Sequence, residues 1–159
     1  MHARGGIAYD AGMASDVTLR EITKDDLVAV LSLAVKPEQE GLVANTAKSI
    51  AQAHFYDEAW FRGVYAGDEM VGFLMLSLEP EKAEYFVWRM LVDGKHQGRG
   101  YGTRAMELAI DYVRTLPHAK ALILSHVPKE GHAGPFYEKL GFVYTGEVEE
   151  GEQLMKLDL

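Results

Sequence analysis

The chain has no cysteine, and that absence removes a disulfide framework, a thiolate nucleophile and a thiolate metal site together. Whatever chemistry it carries out must use carboxylates, imidazoles, hydroxyls or backbone amides. It also lacks any apolar run approaching the roughly 18 residues that a membrane-spanning helix needs, and its first residues hold no basic stretch leading into a signal-peptide core. A cytoplasmic protein without a membrane partner is expected. Basic residues are outnumbered, 16 against 24 acidic ones, for a net charge of −8. That balance disfavours nucleic acid and draws cationic ligands by long-range attraction, while acidity also serves solubility alone. His54 and His132 stand at no metal-ligand spacing with a carboxylate, so no metal site is expected.

What is present describes one folded unit. At 159 residues the chain has the size of a single domain, and 48% hydrophobic with 25% charged residues suffices for an ordinary core. Residues 1–15 are rich in Gly and Ala without periodicity and read as a flexible N-terminal extension, leaving 16–159 as the domain. Val17 to Ile22 alternates as a half-buried strand does, and Thr23-Lys24-Asp25-Asp26 carries N-cap chemistry for a helix to about Val35. Pro37 ends that helix, and Asn45 caps a second one running to about Tyr56. Gly63 to Ala66, the turn Gly67-Asp68 and Met70 to Leu78 form a hairpin, followed by a strand from Tyr85 to Val92.

Over 102–116, Ala105, Leu108, Ala109, Tyr112 and Leu116 recur at helical spacing. Ala121 to Leu124 is a short apolar run expected in mid-sheet and buried on both faces. A helix over 134–140, stopped by Gly141, precedes two final strands at 142–148 and 153–157. The order β-α-α-β-β-β-α-β-α-β-β implies an α/β (α+β) fold, a mixed and mostly antiparallel sheet of about seven strands with about four helices on its two faces.

The stretch most informative about chemistry lies between the strand ending at Val92 and the amphipathic helix: Asp93-Gly94-Lys95-His96-Gln97-Gly98-Arg99-Gly100-Tyr101-Gly102-Thr103. Three glycines in five residues let the backbone turn sharply and approach a ligand, and the free N–H groups of the helix start then point at one place. Partial positive charge from the peptide dipoles, with the side chains of Arg99 and Arg104 near by, makes this an anion cradle suited to pyrophosphate. A Walker loop would end in Gly-Lys-Ser/Thr, and a dinucleotide fingerprint would space its last glycine differently and add an acidic ribose ligand; neither is present.

Gln97-x-x-Gly100-x-Gly102 resembles the acetyl-CoA pyrophosphate loop of the GNAT (Gcn5-related) N-acetyltransferase superfamily. Ala133-Gly134-Pro135-Phe136-Tyr137-Glu138-Lys139-Leu140-Gly141-Phe142 resembles that family's Ala-x-x-x-Tyr-x-x-x-Gly-Phe segment. By this resemblance acetyl-CoA is the cosubstrate. The backbone of Met90, Leu91 and Val92 pairs with its pantetheine, and the amides of Gln97, Gly98, Arg99, Gly100, Tyr101, Gly102 and Thr103 bind its pyrophosphate. Tyr137 is the general acid for the departing thiolate, a role a phenol within hydrogen-bond reach can fill. The position seven residues before this Tyr, an Asn that touches CoA in many members, is Glu130 here.

Leu33 to Asn45, continuing through Ser49 to Ala53, resembles the helix-loop-helix of bacterial spermine/spermidine acetyltransferases, and the likeness extends through 146–152 to span about Val17 to Leu157. It implies a small-molecule amine acceptor, a polyamine such as spermidine or spermine. Glu38 and Glu40 on the loop over the acceptor cleft, with Glu84 at the start of the strand leading to the acetyl site, then become substrate-binding carboxylates. Glu84 is also the candidate base, and Trp60 and Trp88 offer aromatic faces to cations. His126, after the buried strand, faces the cofactor edge or is satisfied by backbone. Antibiotic amines and protein or peptide amines remain as alternative acceptors, and a non-catalytic acyl-CoA sensor as an alternative class. The sheet-edge and C-terminal strands offer a surface for a homodimer.

Overall fold

A computed structural model of the chain describes residues 16–159; the expected extension over 1–15 lies outside the described residues. β1 (Val17–Arg20) leads to a capping box in which the Thr23 hydroxyl accepts from Asp25 N–H and the Asp26 carboxylate accepts from Thr23 N–H at 2.9 Å. α1 (Leu27–Ser32) follows and ends three residues before the expected Val35. Its last turn gives way because Ala34 is drawn elsewhere: Gly94 N–H donates to the Ala34 carbonyl at 2.7 Å, and Ala34 N–H donates to the Asp93 carboxylate at 3.4 Å. The chain leaves the helix to tie itself to the loop after the fourth strand.

α2 (Thr46–Phe55) is capped by Asn45, whose side chain accepts from Lys48 N–H at 2.8 Å. β2 (Ala59–Ala66) and β3 (Glu69–Glu79) form the expected hairpin, with β2 starting four residues early because Trp60 stacks on Tyr112 at 4.8 Å. Then come β4 (Glu84–Val92), α3 (Tyr101–Arg114), β5 (Ala121–His126), α4 (Gly134–Lys139), β6 (Val143–Glu149) and β7 (Glu152–Asp158). The seven strands lie in the order β1-β2-β3-β4-β5-β7-β6, and every neighbouring pair is antiparallel except β4–β5.

Strand alternation divides the apolar residues between two cores. On one face α3 sets Ala105, Met106, Ala109 and Val113 against Leu74, Leu76, Val87, Leu122 and Leu124, and α4 adds Tyr137. On the other, α1 and α2 cover Phe73, Met75 and Leu91 with Val30, Leu33 and Ile50. Each fully buried aliphatic side chain contributes about 1.5–3 kcal/mol. β5 departs from the expectation of burial on both faces: Leu122, Leu124 and His126 are buried while Ala121, Ile123 and Ser125 are partly exposed. Their side borders a cleft. Among the described residues no helix is long and apolar enough to cross a membrane.

Two irregularities of β4 create that cleft. Its parallel pairing with β5 covers Phe86–Ile123 and Val87–Leu124, after which β4 runs on to Val92 without β5 beside it. Opposite, the register with β3 shifts between Met75 and Leu76, so that Met75 pairs with Arg89 and Leu76 with Val87. Trp88 is the extra residue of a bulge, which breaks the alternation locally, and β4 lines the cleft continuously from Phe86 to Val92.

Candidate active site

The wedge between β4 and β5 opens into a cavity of about 1210 Å³, larger than the roughly 300–1,000 Å³ of ordinary small-molecule sites. One end is the glycine loop. Gly98 and Gly100 have φ of +79° and +82°, a region that side-chain-bearing residues enter only at a cost. The first intrahelical bond of α3 runs from Arg104 N–H to the Gly100 carbonyl at 3.0 Å. The N–H groups of Tyr101, Gly102 and Thr103 therefore have no acceptor within the helix, and all three residues line the cavity. Unsatisfied donors at the start of a 14-residue helix suit a pyrophosphate.

Side chains hold this loop in place. Gln97 Nε2 donates to the Val92 carbonyl at 3.0 Å and to Gln39 Oε1 at 2.8 Å, while Gln39 Nε2 donates back to Gln97 Oε1 at 3.1 Å. The buried Asp93 carboxylate accepts from Lys95 N–H at 3.1 Å. His96 is buried and lines the cavity, with Nε2 3.1 Å from Glu69 but neither ring nitrogen in hydrogen-bond geometry. Two expectations fail here. Arg99 is exposed and lies off the lining, and Arg104 pairs with Glu107 at 3.2 Å on the outer surface of α3. The cradle is made of backbone.

Met90, Leu91 and Val92 line the middle of the wedge. Arg89 Nη1 takes the Trp88 carbonyl at 2.9 Å and Gln97 Nε2 takes that of Val92, so the stretch of β4 left open to a ligand lies between them. Facing it is Tyr137, 7% exposed, its phenol pushed well up from the ordinary value by burial. Its hydroxyl makes no hydrogen bond among the described residues, so the group stays protonated throughout the neutral range and is available to donate. A Schellman motif fixes the ring: Gly141 N–H donates to the Glu138 carbonyl at 3.0 Å and Phe142 N–H to that of Tyr137 at 3.1 Å.

Beside Tyr137, the His126 ring stacks on His132 with centroids 4.6 Å apart. His126 Nδ1 lies 3.2 Å from the Val127 carbonyl, an acceptor, so in the neutral ring Nδ1 carries the proton and Nε2 accepts from the Tyr144 hydroxyl at 3.0 Å. The ring lines the cavity and is satisfied by backbone at once. Glu130 is exposed and off the lining.

The far end of the cavity is bounded by Leu42, Val43 and Ala44, by Lys48, by Trp88 and Arg89, by Ser125, and by Glu149, Glu150 and Glu152. The carboxylates expected there are not the ones found. Glu38 and Glu40 are exposed and flank Gln39, which turns inward instead. Glu84 pairs across the β3–β4 hairpin with Glu79 at the end of β4 remote from Met90, where Lys82 bridges to Glu79 at 2.7 Å. Six residues of strand, about 20 Å, separate Glu84 from Met90. Trp60 packs on Tyr112 under Arg62, away from the cleft. The three glutamates that do line the cavity come from the β6–β7 turn, where Glu150 and Gly151 at φ of +49° and +81° make a two-residue hairpin. Spacing along the chain carried no sign of them, since nothing local says which strand end reaches the wedge.

A parallel strand pair parted over a helix N-terminus, with a protonated phenol beside the gap, makes a cleft with the room and the backbone donors for a long pyrophosphate-bearing ligand. Residues 29–142 match the model of the Acetyltransferase (GNAT) family, and the chain belongs to that family. It is an acetyltransferase, and acetyl-CoA is the donor that such enzymes use. The spermine/spermidine N(1)-acetyltransferase of Bacillus subtilis (strain 168) is 29% identical over 153 residues, covering 90% of this chain and 99% of that protein. An acetyltransferase from Thermus thermophilus has the same fold, with a TM-score of 0.73 at 20% identity over 92% of this chain and 99% of that one. So does PaiA N-acetyltransferase from Thermoplasma acidophilum, solved in complex with coenzyme A, with a TM-score of 0.66 at 14% identity over 90% and 99%.

Proposed function

We propose that the protein transfers the acetyl group of acetyl-CoA to a primary amine of a small polycation, spermidine or spermine, by direct attack in a ternary complex. The observation that carries this reading is the make-up of the cavity: backbone donors of the glycine loop, Tyr137, and three glutamates that outnumber the Lys48 and Arg89 beside them and form no ion pair among the described residues. The likeness to the B. subtilis spermine/spermidine enzyme supports the same acceptor.

Acetyl-CoA supplies an activated thioester, and the chain supplies position and protons. The amides of Gln97 to Thr103 hold the pyrophosphate, and the backbone of Met90 to Val92 aligns the pantetheine arm. The neutral acceptor amine reaches the carbonyl carbon from the glutamate-lined end, so that a C–N bond forms as the C–S bond breaks. Tyr137 gives its proton to the leaving sulfur, the surplus proton of the acylated nitrogen passes to water, and water returns a proton to the Tyr137 phenolate to close the cycle. Positioning of two ligands in line supplies much of the rate. The cytoplasmic setting, the single domain and a homodimer through β6 belong to the same reading. That edge strand exposes Val143 and Val148 at 63% each, and sedimentation of the purified protein tests its pairing.

Release of free CoA is measured with spermidine, spermine, putrescine, an aminoglycoside and a lysine peptide in parallel. Turnover highest with the polyamines is expected. Preference for the aminoglycoside or the peptide overturns the acceptor, and CoA binding without turnover of any amine favours a sensor.

A further inference from the structure

Two places in the sheet set carboxylates directly across a hairpin from one another, and they differ in one respect. Glu79 opposes Glu84 at the turn end of β3–β4, and Glu149 opposes Glu152 at the turn end of β6–β7. Like charges so placed destabilise a hairpin. The first pair is relieved by Lys82, whose ammonium lies 2.7 Å from Glu79 and also feels Glu84. The second has no ion pair of this kind: none of those among the described residues includes Glu149 or Glu152.

Glu152 is the inner member of that pair. It is half-buried, and Ser125 Oγ donates to its Oε1 at 3.5 Å. Ser125 directly follows Leu124, the last β5 residue paired with β4, so Glu152 stands where the two strands begin to part. Arg89 is near enough for the charge of Glu152 to oppose the desolvation that lowers the guanidinium's pKa. Arg89 nonetheless forms no ion pair with it: its Nη1 and Nη2 are committed to the neutral Trp88 carbonyl and to Gln52 Oε1 at 2.8 Å, and its Nε is buried without a partner among the described residues. The β4 residues lining the cavity from Phe86 to Val92 include no carboxylate.

We infer that Glu152 is the seat of an ammonium group of the acceptor other than the attacking amine, which arrives neutral: Glu149 and Glu152 share no ion pair with the chain, and the substrate's cation lies against Glu152 where the wedge opens. This rests on the acetyl-transfer reading above and adds to it the residue that selects a cationic acceptor. Glu149, across the strand and farther out, takes a second ammonium when the acceptor has one.

The test compares wild type, Glu152→Gln, Glu152→Asp and Glu84→Gln, with kcat and KM measured separately for each ligand. Glu152→Gln raises the spermidine KM tenfold or more and leaves the acetyl-CoA KM within twofold; Glu152→Asp recovers part of the loss, and Glu84→Gln changes neither. Spermidine also raises the melting temperature of wild type more than that of Glu152→Gln, which separates lost binding from misfolding. An unchanged KM in Glu152→Gln, with wild type active, overturns the seat. If wild type instead acetylates only the aminoglycoside or the lysine peptide, the polyamine reading falls and the seat is judged by the same comparison on that acceptor. Absence of turnover with every amine overturns both.

Discussion

The carbonyl of Tyr137 accepts the N–H of Phe142 at 3.1 Å while their rings meet edge to face at 5.7 Å. The same two residues thus close the helix end and orient the phenol. Because the hydroxyl itself has no hydrogen-bond partner among the described residues, Tyr137→Phe removes a proton donor and little else. We expect kcat to fall about 10²- to 10⁴-fold, with CoA affinity and the unfolding midpoint nearly unchanged, as read by calorimetry and urea titration.

Burial raises the Tyr137 phenol above its ordinary 10.0. The sign follows: below pH 10 both folded and unfolded states hold the proton, and above it the unfolded chain loses its proton first. Stability therefore falls as pH rises from 10 toward the folded value, at up to about 1.4 kcal/mol per pH unit for this group. Alkaline denaturation of Tyr137→Phe should show a shallower decline than wild type.

Gly141 sits at φ +100°, and a Cβ there would lie 3.2 Å from Leu157 Cδ1. Gly141→Ala strains the turn that fixes Tyr137, at a cost of about 1–3 kcal/mol. The expected result is lower thermal stability and a kcat that drops more than CoA affinity does.

The reciprocal amide pair of Gln39 and Gln97 joins the α1–α2 loop to the glycine loop. A double-mutant cycle with Gln39→Ala and Gln97→Ala should give a coupling of about 0.5–1.5 kcal/mol in stability. Gln97→Ala, which also frees the Val92 carbonyl, should weaken CoA binding more than Gln39→Ala does.

Glu84, remote from the wedge and opposed to Glu79, should be replaceable by Gln with kcat within twofold of wild type. A pH–rate profile that loses its acidic limb in Glu84→Gln would contradict the placement.

Much of this protein could be read along the chain. Thr23 and Asn45 announce their helices through hydrogen bonds to amides two and three residues on, and the glycine loop with the helix after it makes an anion site from backbone alone. Such features depend on neighbours in sequence, so spacing captures them, and they carried the order of the eleven elements and the glycine loop that lines one part of the cleft. The acceptor end was another matter. Glu38, Glu40 and Glu84 lie off the cavity lining, while Glu152 lines it because β7 inserts between β5 and β6, and β4 lines it from Phe86 to Val92 because β5 is no longer paired with it after Val87. Strand order and register are set by which faces bury apolar area across the whole sheet, a sum over residues far apart in the chain. The sequence by itself determined the elements and the glycine loop before the helix; the tertiary structure decided which carboxylates line the cavity, because side chains meet across strands according to register and not according to spacing.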